Sequence, residues 1–147
     1  MAAIRQPRSI TPRNDLTATY VRTLFTYNRK KGVLRWKNNK SHNRYRGKRA
    51  GFKATNGYMY VSIDKKWYLV HRIIHLDVTG RWPKEKMDHA SRKRTDNRWH
   101  KIREADASQN GCNRSKQSNN TSGFKGVTWH AQQKKWRAQI VMRGQYH

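Results

Sequence analysis

The chain has 147 residues, with 34 Lys and Arg against 8 Asp and Glu and a formal net charge of +26, a balance that points to a polyanionic partner and opposes self-association of the bare protein. Its length suits one modest domain plus an accessory module, and 6 Trp and 7 Tyr can anchor a core that a hydrophobic content of 34% would otherwise leave thin. The single cysteine, Cys112, excludes an internal disulfide and a Cys-rich zinc site and fits a reducing cytosol, and no apolar run reaches the roughly 18 residues of a membrane span.

Residues 1–15 read as a flexible basic arm with no apolar signal-peptide core. Over 16–27, Leu16, Tyr20, Val21, Leu24 and Tyr27 recur at helical spacing, with Asn14 or Asp15 as the cap. Val33, Leu34 and Trp36 make a short strand-like run after Gly32, and 37–50 reads as a basic loop. YMYVSI and WYLV around Asp64, Lys65 and Lys66 predict a β-hairpin. VHRIIHLDVT predicts a short helix capped by Gly80, and Pro83 then breaks the chain. After a polar loop, Trp99 and Ile102 are the returning apolar positions. A helix can begin after Asp106 or Ser108, residues 114–122 read as a linker, and FKGVTW and KKWRAQIVM read as two strands. In the second of these, Trp136, Ala138, Ile140 and Met142 share one face, and Arg137, Gln139 and Val141 share the other.

The chemistry concentrates at Asp88-His89, one of the few acids directly before a histidine, inside a basic tract. A carboxylate can hold a divalent metal, and an imidazole, which titrates near neutrality, can take a proton from water. On a surface that attracts phosphate, that pair suggests cutting nucleic acid. His71 and His75, at i,i+4 on the predicted helix, have the spacing of a zinc-hydrolase pair, but Arg72 stands where that motif has its glutamate. The preferred reading makes His71 a packed structural residue and sends Arg72 to a phosphate or a carboxylate.

Several motifs occur together in order: GKRAG at 47–51, GYMYVSI at 57–63, the His71-Arg72 pair, TGRWP at 79–83, Asp88-His89, TDNR at 95–98 and SQN at 108–110. Over about residues 16–113 the chain resembles the HNH homing endonucleases of phages and group I introns. The resemblance implies an α+β fold with a small sheet and a ββα-metal (His-Me finger) motif at about 85–113. It implies one divalent ion, magnesium or manganese, held by Asp88 and Asn110, with His89 as general base and 5′-phosphate and 3′-hydroxyl products. It further implies double-stranded DNA as substrate, a monomer or homodimer on DNA, no membrane, and the cytoplasm of a phage-infected host. Two oxygen ligands would leave positions for water and phosphate oxygens, as magnesium prefers.

One position departs from the family pattern. Twelve residues after His89, where the family has an asparagine that orients the base, this chain has Lys101. An ammonium has no acceptor for a ring N–H, and its charge disfavours the protonated base. Three readings follow: weakened or absent activity, an orienting group supplied by Asn97 or His100, or Lys101 contacting the scissile phosphate. The first is preferred, and on it Lys101→Asn should raise cleavage. The rival function is a catalytically weakened or inactive HNH-derived DNA-binding protein, and a third is an RNA-binding, ribosomal-type protein.

Residues 123–147 resemble the start of the ethylene-response-factor DNA-binding domain, on SGFKGV and WRAQI at hairpin distance. The resemblance implies a DNA-recognition hairpin with Lys125, Thr128, His130, Arg137 and Gln139 as contacts. It ends within or just before the family's third strand, without the backing helix. The basic stretches 37–49 and 92–103, with Arg72, Arg92, Lys93, Arg94 and Arg98 as candidates, suit phosphates more than bases.

Overall fold

The computed structural model describes residues 14–37 and 45–139, and the backbone of 141–142 and 145–146. Most of the expected N-terminal arm, residues 38–44 of the basic loop and Ile140 lie outside the described residues. The chain is mixed α+β and divides into two compact units, residues 1–106 and 107–147. The helix expected to close the first domain therefore groups with the C-terminal hairpin. No helix among the described residues is long and apolar enough to cross a membrane.

The first unit begins with α1 (Ala18–Leu24), capped by Thr17, whose hydroxyl accepts from the Tyr20 N–H at 3.2 Å. The expected caps are used elsewhere. Asn14 Oδ1 accepts from Arg72 at 2.8 Å, and Asp15 accepts from Lys66 and from the Tyr68 hydroxyl, both at 2.8 Å. The helix is shorter than its periodicity predicts because β1 (Phe25–Asn28) leaves it directly and pairs antiparallel with β2 (Val33–Trp36). Tyr27 is thus a strand residue, drawn out of the helical pattern by its pairing with Leu34.

A three-stranded antiparallel sheet follows, in the order β3 (Phe52–Lys53), β4 (Met59–Ile63), β5 (Lys66–Leu69). The β4–β5 turn has φ of +49° at Asp64 and +62° at Lys65, the left-handed pair that matches the twist of a two-residue hairpin. β3 was not foreseen, since two residues carry no periodicity. Helix α2 (Val70–Thr79) starts where β5 ends and stops at Gly80, at φ +78°. It is buried on nearly every side over Val70–Leu76, and packs with Val21, Leu24, Phe25, Leu34, Val61, Ile63 and Ile102 as one core. Finally β6 (Lys86–His89) pairs antiparallel with β7 (Ile102–Ala105), setting Asp88 opposite Arg103 and His89 opposite Ile102.

One polar network ties α2 to β7. Glu104 accepts from Arg81 at 2.7 Å, from the Lys84 and Glu85 N–H groups, and faces His75 Nε2 at 3.0 Å. Burial alone would raise its pKa, but the bonds from Arg81 and the two backbone amides overcome this and bring it to about 2. A depressed carboxyl pKa gives stability that is full above the unfolded-state value and is lost as pH falls towards the folded one. Glu104→Gln is therefore expected to lower the melting temperature at pH 7 and to flatten its decline between the ordinary value of 4.5 and about 2, as read by thermal melts across that range.

The second unit contains α3 (Ala107–Asn113), the antiparallel hairpin β8 (Val127–His130) and β9 (Lys135–Ala138), and a second short pair, β10 (Val141–Met142) with β11 (Gln145–Tyr146). Trp129 and Trp136 are cross-strand partners, with ring centroids 5.3 Å apart. Each is about half exposed.

Candidate functional site

Asp88 and His89 end β6, and alternation along the strand sends them to opposite faces. His89 is 4% exposed. After it the chain reverses, with the Arg92 N–H donating to the His89 carbonyl and Arg92 at φ +57°. The loop then returns Asn97, 2% exposed, so that its Oδ1 lies 3.0 Å from His89 Nε2. An amide oxygen only accepts, so the bond assigns the ring proton to Nε2 and the basic lone pair to Nδ1.

The geometry favours the second of the three readings of position 101, with Asn97 as the orienting group. His100 is exposed on the 3-10 turn Trp99–Lys101. The backbone of Lys101 closes the loop, its carbonyl accepting from the Ala90 N–H at 2.9 Å.

Asn97 is itself held from the far end of the chain. The Tyr27 hydroxyl donates to the Asn97 carbonyl at 2.7 Å, and the Trp99 N–H donates to the Arg29 carbonyl at 3.2 Å. Burial raises the Tyr27 pKa to about 12, which keeps the hydroxyl protonated and able to donate. Gly32, at φ +67°, passes so close to this segment that a Cβ there would lie 2.4 Å from the Arg98 nitrogen. Neither Tyr27 nor Gly32 was a sequence candidate.

The His71 ring meets His89 edge-on with centroids 5.0 Å apart, and Tyr58 flanks both rings at 5.6 and 5.9 Å. Burial, with smaller contributions from His89 and Arg72, brings the His71 pKa down to about 3, so this ring is neutral. Its Nδ1 is buried with no hydrogen-bond partner. His71 is thus packed, as expected. His75 faces Glu104 rather than joining His71 in a metal pair.

Asp88 receives Arg103 on Oδ2, from Nη2 at 3.1 Å and Nε at 3.3 Å. No cluster of three His, Cys, Asp or Glu side chains suited to a metal occurs among the described residues. Asn110 lies on α3, in the second unit, half-buried.

The candidate DNA contacts divide. Arg72 was expected at a phosphate or carboxylate. It is 8% exposed, held by the Asn14 amide and lying 5.9 Å over the Trp82 ring, so packing withdraws it from any surface. Arg94 donates to the Asn56 carbonyl at 2.6 Å and covers Tyr58 at 4.9 Å. Arg98 grips Asp96 with Nε and Nη2, at 2.8 and 2.7 Å. Arg92 and Lys93 are exposed.

Lys125 has partners within its own unit. Its ammonium donates to the carbonyls of Gly111 at 3.0 Å, Arg114 at 2.9 Å, and Cys112, closing the end of α3, where a cation also meets the negative end of the helix dipole. Thr128 and Arg137 are cross-strand partners, as are His130 and Lys135, so these four share the face opposite the tryptophans. Gln139 follows β9 and donates its N–H to the Gly126 carbonyl.

No protein-family model, curated protein or solved structure matches the chain.

Proposed function

We propose that the chain is a metal-dependent endonuclease of the HNH type, hydrolysing phosphodiester bonds in double-stranded DNA. The observation that carries this reading is the 3.0 Å contact between His89 Nε2 and Asn97 Oδ1. It fixes one ring orientation, in the residue that follows Asp88, in a chain of net charge +26. The strand, strand, helix order of β6, β7 and α3 agrees with a ββα-metal motif.

His89 Nδ1 takes a proton from water, the water oxygen bonds to phosphorus, and the bond to the 3′ oxygen breaks. The products carry 5′-phosphate and 3′-hydroxyl ends. Asn97 keeps the imidazole in one tautomer, and neutral His71 walls off its rear. Asp88 suits a hard cation such as magnesium or manganese, an ion that takes few protein oxygens and retains water, and the resemblance gives Asn110 the role of a second ligand. Such an ion would stabilise charge on the leaving oxygen. On this reading the chain acts as a monomer that nicks, or as a dimer that cuts both strands, in the cytoplasm of a phage-infected host. The β8–β9 face with Thr128, His130 and Arg137 contacts the DNA.

The second reading, a non-catalytic DNA-binding protein, draws on the Arg103–Asp88 pair, which occupies an oxygen the metal would use. Supercoiled plasmid incubated with the protein separates the two. Open-circle product in magnesium or manganese but not in EDTA is the expected result. Retarded plasmid with no open circle under any metal condition would favour the binding protein and overturn the nuclease.

A further inference from the structure

A cleft in the first unit does not have His89 among its lining residues. Its volume is about 740 Å³, within the range of ligand-sized pockets. Arg49, Lys53, Lys93 and Arg98 are among the residues that line it, and Phe52 and Met59 add apolar surface. These cations come from different parts of the chain. Arg49 is bridged to Arg35 of β2 and Lys53 belongs to β3, whereas Lys93 and Arg98 sit on the loop that carries Asn97 to His89.

Asp96 also lines the cleft, but its carboxylate is matched by the Arg98 guanidinium, whose bonds hold its pKa far below the ordinary carboxylate range against the opposing effect of burial. Among the described residues no carboxylate pairs with Arg49, Lys53 or Lys93. A cleft with surplus charge of one sign focuses its field and draws the opposite charge from solution. Cations and apolar side chains lining one cleft match a nucleic-acid strand, whose phosphates would meet the cations and whose sugar or base edge would meet Phe52 and Met59.

We propose that this cleft seats the sugar-phosphate backbone of the DNA strand next to the scissile bond. The proposal rests on the nuclease reading, adds Lys53 to its substrate contacts and gives Arg49 of the basic stretch 37–49 a defined place among them. The Asn97 segment then works on two sides. Asn97 turns inward to hold the base, and its neighbours Asp96 and Arg98 face the strand.

The test is a salt titration of the full chain binding a labelled DNA duplex in EDTA, read by fluorescence anisotropy. Each lost phosphate contact lowers the slope of log affinity against log salt by about 0.9, so Lys53→Gln/Lys93→Gln is expected to lower it by about 1.8. Lys65→Gln, at the turn that ends β4 opposite Met59, is expected to leave the slope unchanged. Both lysines of the double variant are exposed, and its melting temperature should match the wild type. A double variant with wild-type slope and affinity overturns the proposal. So does a slope change seen with an RNA duplex alone. EDTA keeps the two readings separable. Nicking by the wild type with unchanged slopes rejects the cleft alone, and slope loss without any nicking rejects the nuclease alone.

Discussion

His89→Ala is expected to lower the rate of plasmid nicking by about 10²–10⁴-fold, the range a positioned general base contributes. Asn97→Leu is expected to lower it by a similar order while leaving the imidazole in place. Leucine keeps the approximate volume but removes the amide oxygen that accepts the Nε2 proton, in a site where both partners are buried. A buried donor left unpaired costs about 1–3 kcal/mol. The ring then escapes by rotating or by moving its proton to Nδ1, and either change removes the lone pair from the water. Initial rates of open-circle formation, beside melting temperatures, separate loss of orientation from loss of fold. Lys101→Asn is expected to leave the rate unchanged, because the role that residue would take is filled. A rise in rate with Lys101→Asn, together with an unaffected Asn97→Leu, would return the orienting role to position 101 and restore the reading of a weakened enzyme.

How far the chain could be read before its structure depended on how local each signal was. Helix α2 and the β4–β5 hairpin were legible because their signals are local: a run of apolar residues ended by Gly80, and two strand-forming runs around Asp64 and Lys65. The Asp88-His89 pair was visible because acids are scarce. The partner of His89 was not decidable between Asn97, His100 and Lys101. That choice depends on how the loop reverses at Arg92, which no periodicity encodes. The end of α1 was misread because the apolar spacing continues through Tyr27, while pairing with β2 decides the backbone there. Lys125 has a role that no local signal marks. A lysine on a hairpin suits phosphate by composition, but its ammonium meets the open carbonyls at the end of α3. The buttress of Asn97 was beyond reach of any local signal, since Tyr27 and Asn97 are 70 residues apart.

That buttress carries the strongest expectation about fold and site together. Gly32→Ala is expected to destabilise the protein and to depress nicking, although residue 32 lies far from the Asp88-His89 pair in sequence. A non-glycine residue at φ +67° already costs about 1–2 kcal/mol. The added Cβ would in addition lie 2.4 Å from the Arg98 nitrogen and 2.6 Å from the Asn97 carbonyl carbon. These are backbone atoms, so no side-chain rotation relieves the clash, and the β1–β2 turn and the Asn97 segment must separate. Separation strains the Tyr27 and Trp99 hydrogen bonds and moves the amide that holds His89. Gly47 supplies the control. It has nearly the same backbone conformation, φ +70°, but none of the described residues lies within 4 Å of its Cβ position. Gly47→Ala is expected to cost the conformational term alone, a shift of about 4–8 °C per kcal/mol in a domain of roughly this size, with nicking unchanged. Gly32→Ala should melt well below it and lose activity. Equal melting temperatures and equal rates for the two variants would mean that the hairpin merely lies against the Asn97 segment without setting the position of the base.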